Sequence, residues 1–176
     1  MYIVSLHSVD IDSEGFENKT PVMLAGPNGH KDVVEFLVNH GAELSLRDSD
    51  TNNILHLTSY GGSVDVMKYV LSQKVVDVNG RGWKRRTPVM IAGMKGRKRL
   101  VELFVKHGAK LSLADREGNN ILMLATAYVE VVKYILSLGV VNIDAKNRKG
   151  ESAAMKARAW GHRDVLDLLV SHGAHT

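Results

Sequence analysis

The segment NKTPVMLAGPNGHKDVVEFLVNHGAELSL (18–46) returns with 17 of its 29 residues identical as RRTPVMIAGMKGRKRLVELFVKHGAKLSL (85–113), 67 residues further along the chain. Between them, DSDTNNILHLTSYGGSVDVMKYVLS (48–72) returns as DREGNNILMLATAYVEVVKYILS (115–137). A fifth copy, KGESAAMKARAWGHRDVLDLLVSHGA, occupies 149–174. Self-similarity at a period of 32 to 34 residues indicates a stack of small units that bury their apolar faces against one another.

Each copy predicts a pair of helices followed by a polar turn. A Thr, Asn or Ser opens the first helix, where its side-chain oxygen can accept a free backbone N–H. These residues are Thr20, Asn53, Thr87, Asn120 and Ser152. Pro21 and Pro88 fit the first helical position, where a missing N–H is harmless. Glycines suit the tight turn between the helices and the left-handed residue after the second helix. They are Gly29, Gly62, Gly96 and Gly161, and then Gly41, Gly108 and Gly173.

This pattern resembles the ankyrin repeat family. The resemblance rests on Thr-Pro at 20–21 and 87–88, Gly-His at 29–30 and 161–162, and Gly-Ala at 41–42, 108–109 and 173–174. It implies an all-α fold, an α-solenoid of helix–turn–helix units joined by β-turn or loop fingers, in one domain over residues 1–176. The expected repeats are 15–47, 48–81, 82–114, 115–146 and 147–176.

Two departures from the family pattern predict local differences. The family usually has a histidine three residues after its threonine, and only His56 keeps that place. We expect flexible thioethers to fill the space in the other four repeats, at Met23, Met90, Met123 and Met155. The fourth repeat also lacks the glycine between its helices and is two residues shorter there than the second repeat. This shortening predicts a distorted junction near Ala127–Tyr128.

The beginning of the chain also fits the repeat pattern. YIVSLHSVDID (2–12) aligns with YVLSQKVVDVN (69–79), so residues 1–14 are expected to be the tail of a preceding repeat in a longer array. The sequence has no cysteine, no secretory signal and no apolar run near the roughly 20 residues that span a bilayer. These features favour an intracellular, cytoplasmic protein, expected to be a monomer.

Positive charge is concentrated in one repeat. Residues 82–114 carry a net charge of +8, whereas the whole chain carries +4. Gly93-Met-Lys-Gly96 in this region looks like a phosphate-clamping loop, but the same glycine turn recurs at 26–29 without the charge. No phosphate-binding G-x-x-x-x-G-K-[ST] sequence is present. The glycines therefore belong to the repeat, and the charge needs another explanation.

The sequence offers no catalytic or metal-binding pattern. Three of the eight histidines recur just before the Gly-Ala turn, where they are expected to bond helix carbonyls. These are His40, His107 and His172. No histidine spacing suits a metal, and no serine or aspartate forms part of a nucleophile-activating group. We expect no enzyme activity, no metal and no cofactor.

The resemblance implies a binding surface made of loop tips and of the exposed sides of the first helices, facing a concave groove. The positions predicted to meet a partner are Phe16, Tyr60, Trp83, Lys84, Arg86, Met94, Lys95, Arg116 and Trp160. A protein partner, possibly with an acidic segment, is the favoured ligand. The alternative is nucleic acid or anionic lipid bound by the basic third repeat. LSQKVVDVN (71–79) also looks like the asparagine hydroxylation sites of ankyrin domains, which places a modification on Asn79.

Overall fold

A computed structural model describes residues 10–175. The described residues contain ten α-helices and no β-strand. The helices are α1 (Pro21–Ala25), α2 (Lys31–Asn39), α3 (Ile54–Gly61), α4 (Val64–Ser72), α5 (Pro88–Met94), α6 (Lys98–Lys106), α7 (Ile121–Leu124), α8 (Val129–Ser137), α9 (Ala153–Ala159) and α10 (Arg163–Ser171). Within 10–175, every helix is too short or too polar to cross a membrane. The chain divides into two compact units, residues 1–76 and 77–176.

The first unit contains α1 to α4. Helix α1 packs on α2 and on α3, and α2 packs on α4. The core between them is fully buried and aliphatic, with Val22, Val34, Ile54, Leu55 and Met67 at its centre. Each such side chain contributes about 1.5–3 kcal/mol by leaving water, so the helix pairs are held together by their neighbours.

The second unit contains α5 to α10 in two layers. The first helices of the repeats, α5, α7 and α9, pack in succession, and the second helices α6, α8 and α10 do the same behind them. Phe104, Leu100, Leu122 and Ile135 are fully buried between the layers. The expected repeat bounds and the single domain stay predictions, whereas the all-α helix-pair arrangement is what the structure has.

The predicted helix starts are confirmed at all five positions. Asn53, Thr87, Asn120 and Ser152 each accept a backbone N–H from the first helical turn. Thr20 also begins its helix, but its hydroxyl caps no N–H and is buried without a partner among the described residues. Its own carbonyl oxygen accepts the Met23 N–H at 3.0 Å, whereas in the third repeat the hydroxyl of the equivalent Thr87 accepts the corresponding N–H, that of Met90.

The three recurring histidines bond helix carbonyls as expected. His40 Nδ1 lies 2.7 Å from the Phe36 carbonyl oxygen, and the same nitrogen of His107 and His172 lies 2.9 Å from the carbonyl four residues before it. Because a carbonyl oxygen only accepts, each Nδ1 carries the proton. These histidines therefore close the ends of the second helices and are not arranged for metal binding.

The methionine expectation is right for three repeats and wrong for the fifth. Met23, Met90 and Met123 are at most 2% exposed, so their thioethers do fill the core. Met155 is 40% exposed. Among the described residues no later first helix packs on α9, so nothing covers the side of the helix that carries Met155.

The fourth repeat is distorted where the sequence is shorter. Helix α7 has four residues, against seven in α5 and α9, and Tyr128 directly precedes α8. The Tyr128 ring lies against Gly96, so close that a methyl group on this glycine would overlap it. Because the fourth repeat is two residues shorter here, α7 is about one turn shorter than α5. The Tyr128 ring packs against the glycine turn of the third repeat.

One side-chain bond between loop and repeat recurs three times. The Asp12 carboxylate accepts the Glu43 N–H at 3.0 Å, Asn79 Oδ1 accepts the Lys110 N–H at 2.8 Å, and the Asp144 carboxylate accepts the His175 N–H at 2.8 Å. This shared role supports the alignment of the two loops at 12 and 79. The rest of the predicted tail falls mainly on residues 1–9, outside the described residues.

Gly61 tests how closely the helix pairs approach. A methyl group at Gly61 would overlap the carbonyl oxygen of Pro27, which is backbone and cannot turn away. We expect Gly61→Ala to lower the free energy of unfolding by about 2 kcal/mol or more, as overpacking does. Urea denaturation measures it. Gly15→Ala is the control, because its added methyl group meets only the Lys19 carbonyl oxygen at 3.6 Å. Equal stability of the two variants would contradict the prediction.

Candidate protein-binding site

Trp83 is held at the tip of a tight reverse turn formed by Gly82–Arg86. The Gly82 N–H donates to the Arg86 carbonyl oxygen at 2.9 Å, and the Arg86 N–H donates to that of Trp83 at 3.1 Å. Lys84 and Arg85 both have positive φ, 53° and 58°. Two successive left-handed residues define the type I′ turn of β-hairpins. The backbone therefore has the geometry of a type I′ turn without flanking strands, and Trp83, its first residue, is 41% exposed.

The first unit carries the same turn. Glu17 and Asn18 have φ values of 59° and 55°, and the Asn18 N–H donates to the Gly15 carbonyl oxygen at 3.1 Å. Phe16 occupies the place of Trp83 and is 86% exposed. Both units thus present one aromatic ring from one kind of turn.

Two cations flank the indole of Trp83. Lys84 Nζ lies 4.6 Å from the ring centroid, and the guanidinium carbon of Arg86 lies 5.6 Å from it. Both distances are within the range of cation–π attraction, which contributes about 0.5–1 kcal/mol at exposed sites. The ring is therefore oriented before any partner arrives.

The Arg86 side chain is bound by other residues of the second unit. It is 8% exposed, and its Nε lies 3.3 Å from Asp115 Oδ2 of the next repeat. Its other nitrogens approach Glu117 Oε2 at 3.9 Å and the Met94 sulfur at 3.3 Å. The sequence predicts Arg86 as a partner contact, but these bonds make it a clamp between two fingers. We leave Arg86 out of the surface proposed below.

Lys84 is partly exposed and also forms an ion pair with the loop before α7. Its Nζ lies 3.2 Å from Glu117 Oε1, with the two side chains 36% and 44% exposed. Such a partly exposed pair contributes about 0.2–1 kcal/mol. The family resemblance places Glu117 at a loop tip, but sequence reasoning missed Asp115 and missed the ion pairs of both residues, because it counted the charge of one repeat. The acidic residues at the next loop tip were the available signal.

Arg81 supports the turn from behind. Its guanidinium donates to the Arg85 carbonyl oxygen at 2.7 Å and to the Ala114 carbonyl oxygen at 2.5 Å. Burial lowers the pKa of Arg81, and the positive charge of Arg85 lowers it further. The two backbone bonds tie the Trp83 turn to the loop before the fourth repeat.

The structure brings together part of the predicted set. Trp83, Lys84, Arg86 and Met94 are joined by the contacts above, and the Arg116 N–H donates to the Lys84 carbonyl oxygen at 2.7 Å. Lys95 is exposed at the end of α5, and Trp160 is 71% exposed at the end of α9. Phe16 and a half-buried Tyr60 on α3 belong to the first unit. Residues 10–175 contain no group of three acidic or histidine side chains that could hold a metal ion.

Comparison with known proteins identifies the family. A family model described as ankyrin repeats (3 copies) matches residues 2–82, 73–147 and 89–176. The chain therefore belongs to the ankyrin repeat family, and the all-α repeat fold predicted from the sequence is confirmed.

Relatives with different names share this segment. The chain is 30% identical over 149 residues to palmitoyltransferase AKR1 of Lachancea kluyveri, covering 78% of this chain and 19% of that protein. It is 35% identical over 134 residues to probable palmitoyltransferase AKR2 of Saccharomyces uvarum, covering 73% and 18%. It is 31% identical over 152 residues to L-asparaginase of Dirofilaria immitis, covering 85% and 25%. The chain spans about a fifth of the length of the two palmitoyltransferases.

Arg85 tests the strain in the Trp83 turn. A left-handed residue with a side chain costs about 1–2 kcal/mol, and glycine removes that cost but loses more chain entropy. We expect Arg85→Gly to raise the free energy of unfolding by about 0.5–1 kcal/mol, measured by urea denaturation. Arg116→Gly is the matched control, since Arg116 is exposed on a finger but has no positive φ. A loss of stability as large as that of the control would refute the strain.

Proposed function

We propose that this chain is a protein–protein interaction module that binds a partner protein through its predicted concave groove and has no catalysis of its own. The observation that carries the proposal is Trp83, a large ring held half-exposed on a rigid turn between two cations. Tryptophan is among the residues that most often dominate binding energy. A ring that is already oriented loses little entropy when a partner covers it.

Further exposed side chains support the same role. Trp160 and Phe16 are 71% and 86% exposed, and both lie at positions that the family resemblance assigns to the groove. The proposed contact residues are Phe16, Tyr60, Trp83, Lys84, Met94, Lys95, Arg116 and Trp160. We also propose that the protein acts as a cytoplasmic monomer, which cell fractionation and light scattering of the purified chain test.

The relatives support a binding role for the segment. Palmitoyltransferases and an L-asparaginase share it, although their names denote different reactions, and it covers a quarter or less of each. The similarity therefore follows the repeats and not one activity.

The second candidate ligand is nucleic acid or anionic lipid, bound through the basic third repeat. Exposed Arg97 and Arg99 favour it. Against it, Lys84 and Lys98 lie 3.2 and 3.3 Å from Glu117 and Glu130, which lowers the charge that a polyanion would meet. Phosphate-driven binding falls linearly with salt on logarithmic axes, so titration of a single-stranded oligonucleotide and of phosphatidylserine vesicles over a series of salt concentrations decides this candidate.

Trp83 provides the test of the proposed function. We expect the native chain to capture a specific partner from cell lysate, and Trp83→Ala and Lys84→Glu each to abolish that capture. Val140→Ser is the control, because Val140 is 58% exposed and lies away from the Trp83 turn, in the loop that follows α8. Circular dichroism checks that all variants fold. A folded Trp83→Ala variant that still captures the same protein would rule out Trp83 as the anchor.

We further propose Asn79 as a hydroxylation site. Its Oδ1 accepts the Lys110 N–H at 2.8 Å, and its Nδ2 donates to the Gly108 carbonyl oxygen at 3.2 Å. A hydroxylase must therefore break both bonds to reach the side chain. Mass spectrometry after incubation with an ankyrin-directed asparaginyl hydroxylase should find one added oxygen atom on Asn79 and none on Asn142 of the corresponding loop. An unmodified Asn79 would end this proposal.

A further inference from the structure

Three successive fingers of the second unit, the loops that precede α5, α7 and α9, line an open groove at their tips, which we call the fingertip cavity. It has a volume of about 370 Å³. Its lining residues are Lys84, Arg116, Glu117, Arg148 and Lys149. The family resemblance also places Arg148 and Lys149 at loop tips, although neither is among the nine positions predicted to meet a partner.

The charges of the fingertip cavity do not balance. Four cations line it, and Glu117 is the one carboxylate among its lining residues. Glu117 pairs with Lys84 at 3.2 Å. The side chains of Arg116, Arg148 and Lys149 have no hydrogen-bond or ion-pair partner within residues 10–175. Lys149 lies within electrostatic reach of the Glu151 carboxylate, whose pKa is lowered mainly by a hydrogen bond from Asn147 and further by Lys156 and Lys149. Arg116 and Arg148 are therefore the two cations of this space that no nearby carboxylate pairs with among the described residues.

The backbone that carries these cations is fixed. The Arg116 N–H donates to the Lys84 carbonyl oxygen at 2.7 Å, and the Arg148 N–H donates to that of Glu117 at 3.0 Å. These bonds join each finger to the next. Within the last finger, Asn147 Oδ1 accepts the Lys149 N–H at 3.0 Å. A charged site on rigid backbone loses less entropy on binding than one on mobile loops.

We propose that the fingertip cavity binds an acidic segment of the partner protein, a run of Asp or Glu side chains next to the Trp83 turn. This inference rests on the proposed function and names the chemistry of its partner. Arginine pairs with carboxylates through two parallel N–H···O bonds, and Arg116 and Arg148 offer two such groups from adjacent fingers. A single anion would use one of them, whereas an extended acidic segment uses both.

A peptide suits the cavity better than a nucleic acid does. The Glu117 carboxylate lies among the cations and repels phosphates and carboxylates alike. It can accept a backbone N–H, however, which a peptide supplies and a nucleic acid backbone lacks. Trp83 beside the cavity adds an apolar surface for the rest of the segment. Glu117 also occupies Lys84 in the free protein, so it competes with the carboxylates of the partner.

Titration of a short fluorescent peptide of glutamate and glycine tests the inference by anisotropy. We expect the native chain to bind it and Arg116→Ala/Arg148→Ala to weaken binding by about tenfold or more, since two charge-assisted contacts are lost. Glu117→Gln should strengthen binding by roughly threefold, because Lys84 is released. The matched control, Arg99→Ala/Lys133→Ala, removes the same charge from exposed helix positions and should change affinity by less than about twofold.

Several outcomes would overturn the inference. They are a native chain that does not bind the peptide, an equal loss in the matched control, or tighter binding of a single-stranded oligonucleotide or phosphatidylserine vesicles than of the peptide. Capture of a partner that depends on Trp83 but not on Arg116 and Arg148 would also overturn it, while leaving the proposed function standing. Conversely, the native chain could bind the peptide while Trp83→Ala still captures the partner. That result would support the fingertip cavity as the site of the acidic segment and refute Trp83 as the anchor.

Discussion

The close approach of neighbouring first helices is the constraint on which the site depends. A methyl group on Gly93 of α5 would lie 2.9 Å from Ile121 Cγ1 of α7, tighter than ordinary van der Waals contact. Because α5 and α7 lie this close, the loops that precede them are also close. The Arg116 N–H can then reach the Lys84 carbonyl oxygen, and Arg86 can reach Asp115. The geometry of the fingertips thus follows from a glycine in the core.

Local features of the fold could be predicted from the sequence because they depend on a few neighbouring residues. Three signals act within one or two helical turns. They are a threonine, asparagine or serine before a short apolar run, a proline directly after that capping residue, and a glycine at a left-handed turn. The histidines before the Gly-Ala turns are predictable for the same reason. Thr20 shows the limit, since it begins its helix as the other four cap residues do, yet its hydroxyl accepts no N–H.

The candidate site could be predicted only in part, because ion pairing depends on the next repeat. The third repeat has a net charge of +8, yet Asp115, Glu117 and Glu130 of the fourth repeat neutralise some of it. Arg86 is the extreme case, a predicted surface cation that is 8% exposed. The charge of a repeat is a property of its sequence, whereas the charge of a surface belongs to at least two adjacent repeats.

The two turns that carry Phe16 and Trp83 also determine what the gain or loss of repeats does to the binding surface. The turns at Phe16 and Trp83 share left-handed backbone at two successive residues, whereas Asp48 and Asp115 support the fingers between and after them by accepting backbone N–H groups. The two finger types therefore alternate over the first four repeats, in which the sequence recurs as pairs of repeats at an offset of 67 residues. Gain or loss of whole pairs preserves the spacing of aromatic fingers. Gain or loss of a single repeat would put two fingers of one type side by side.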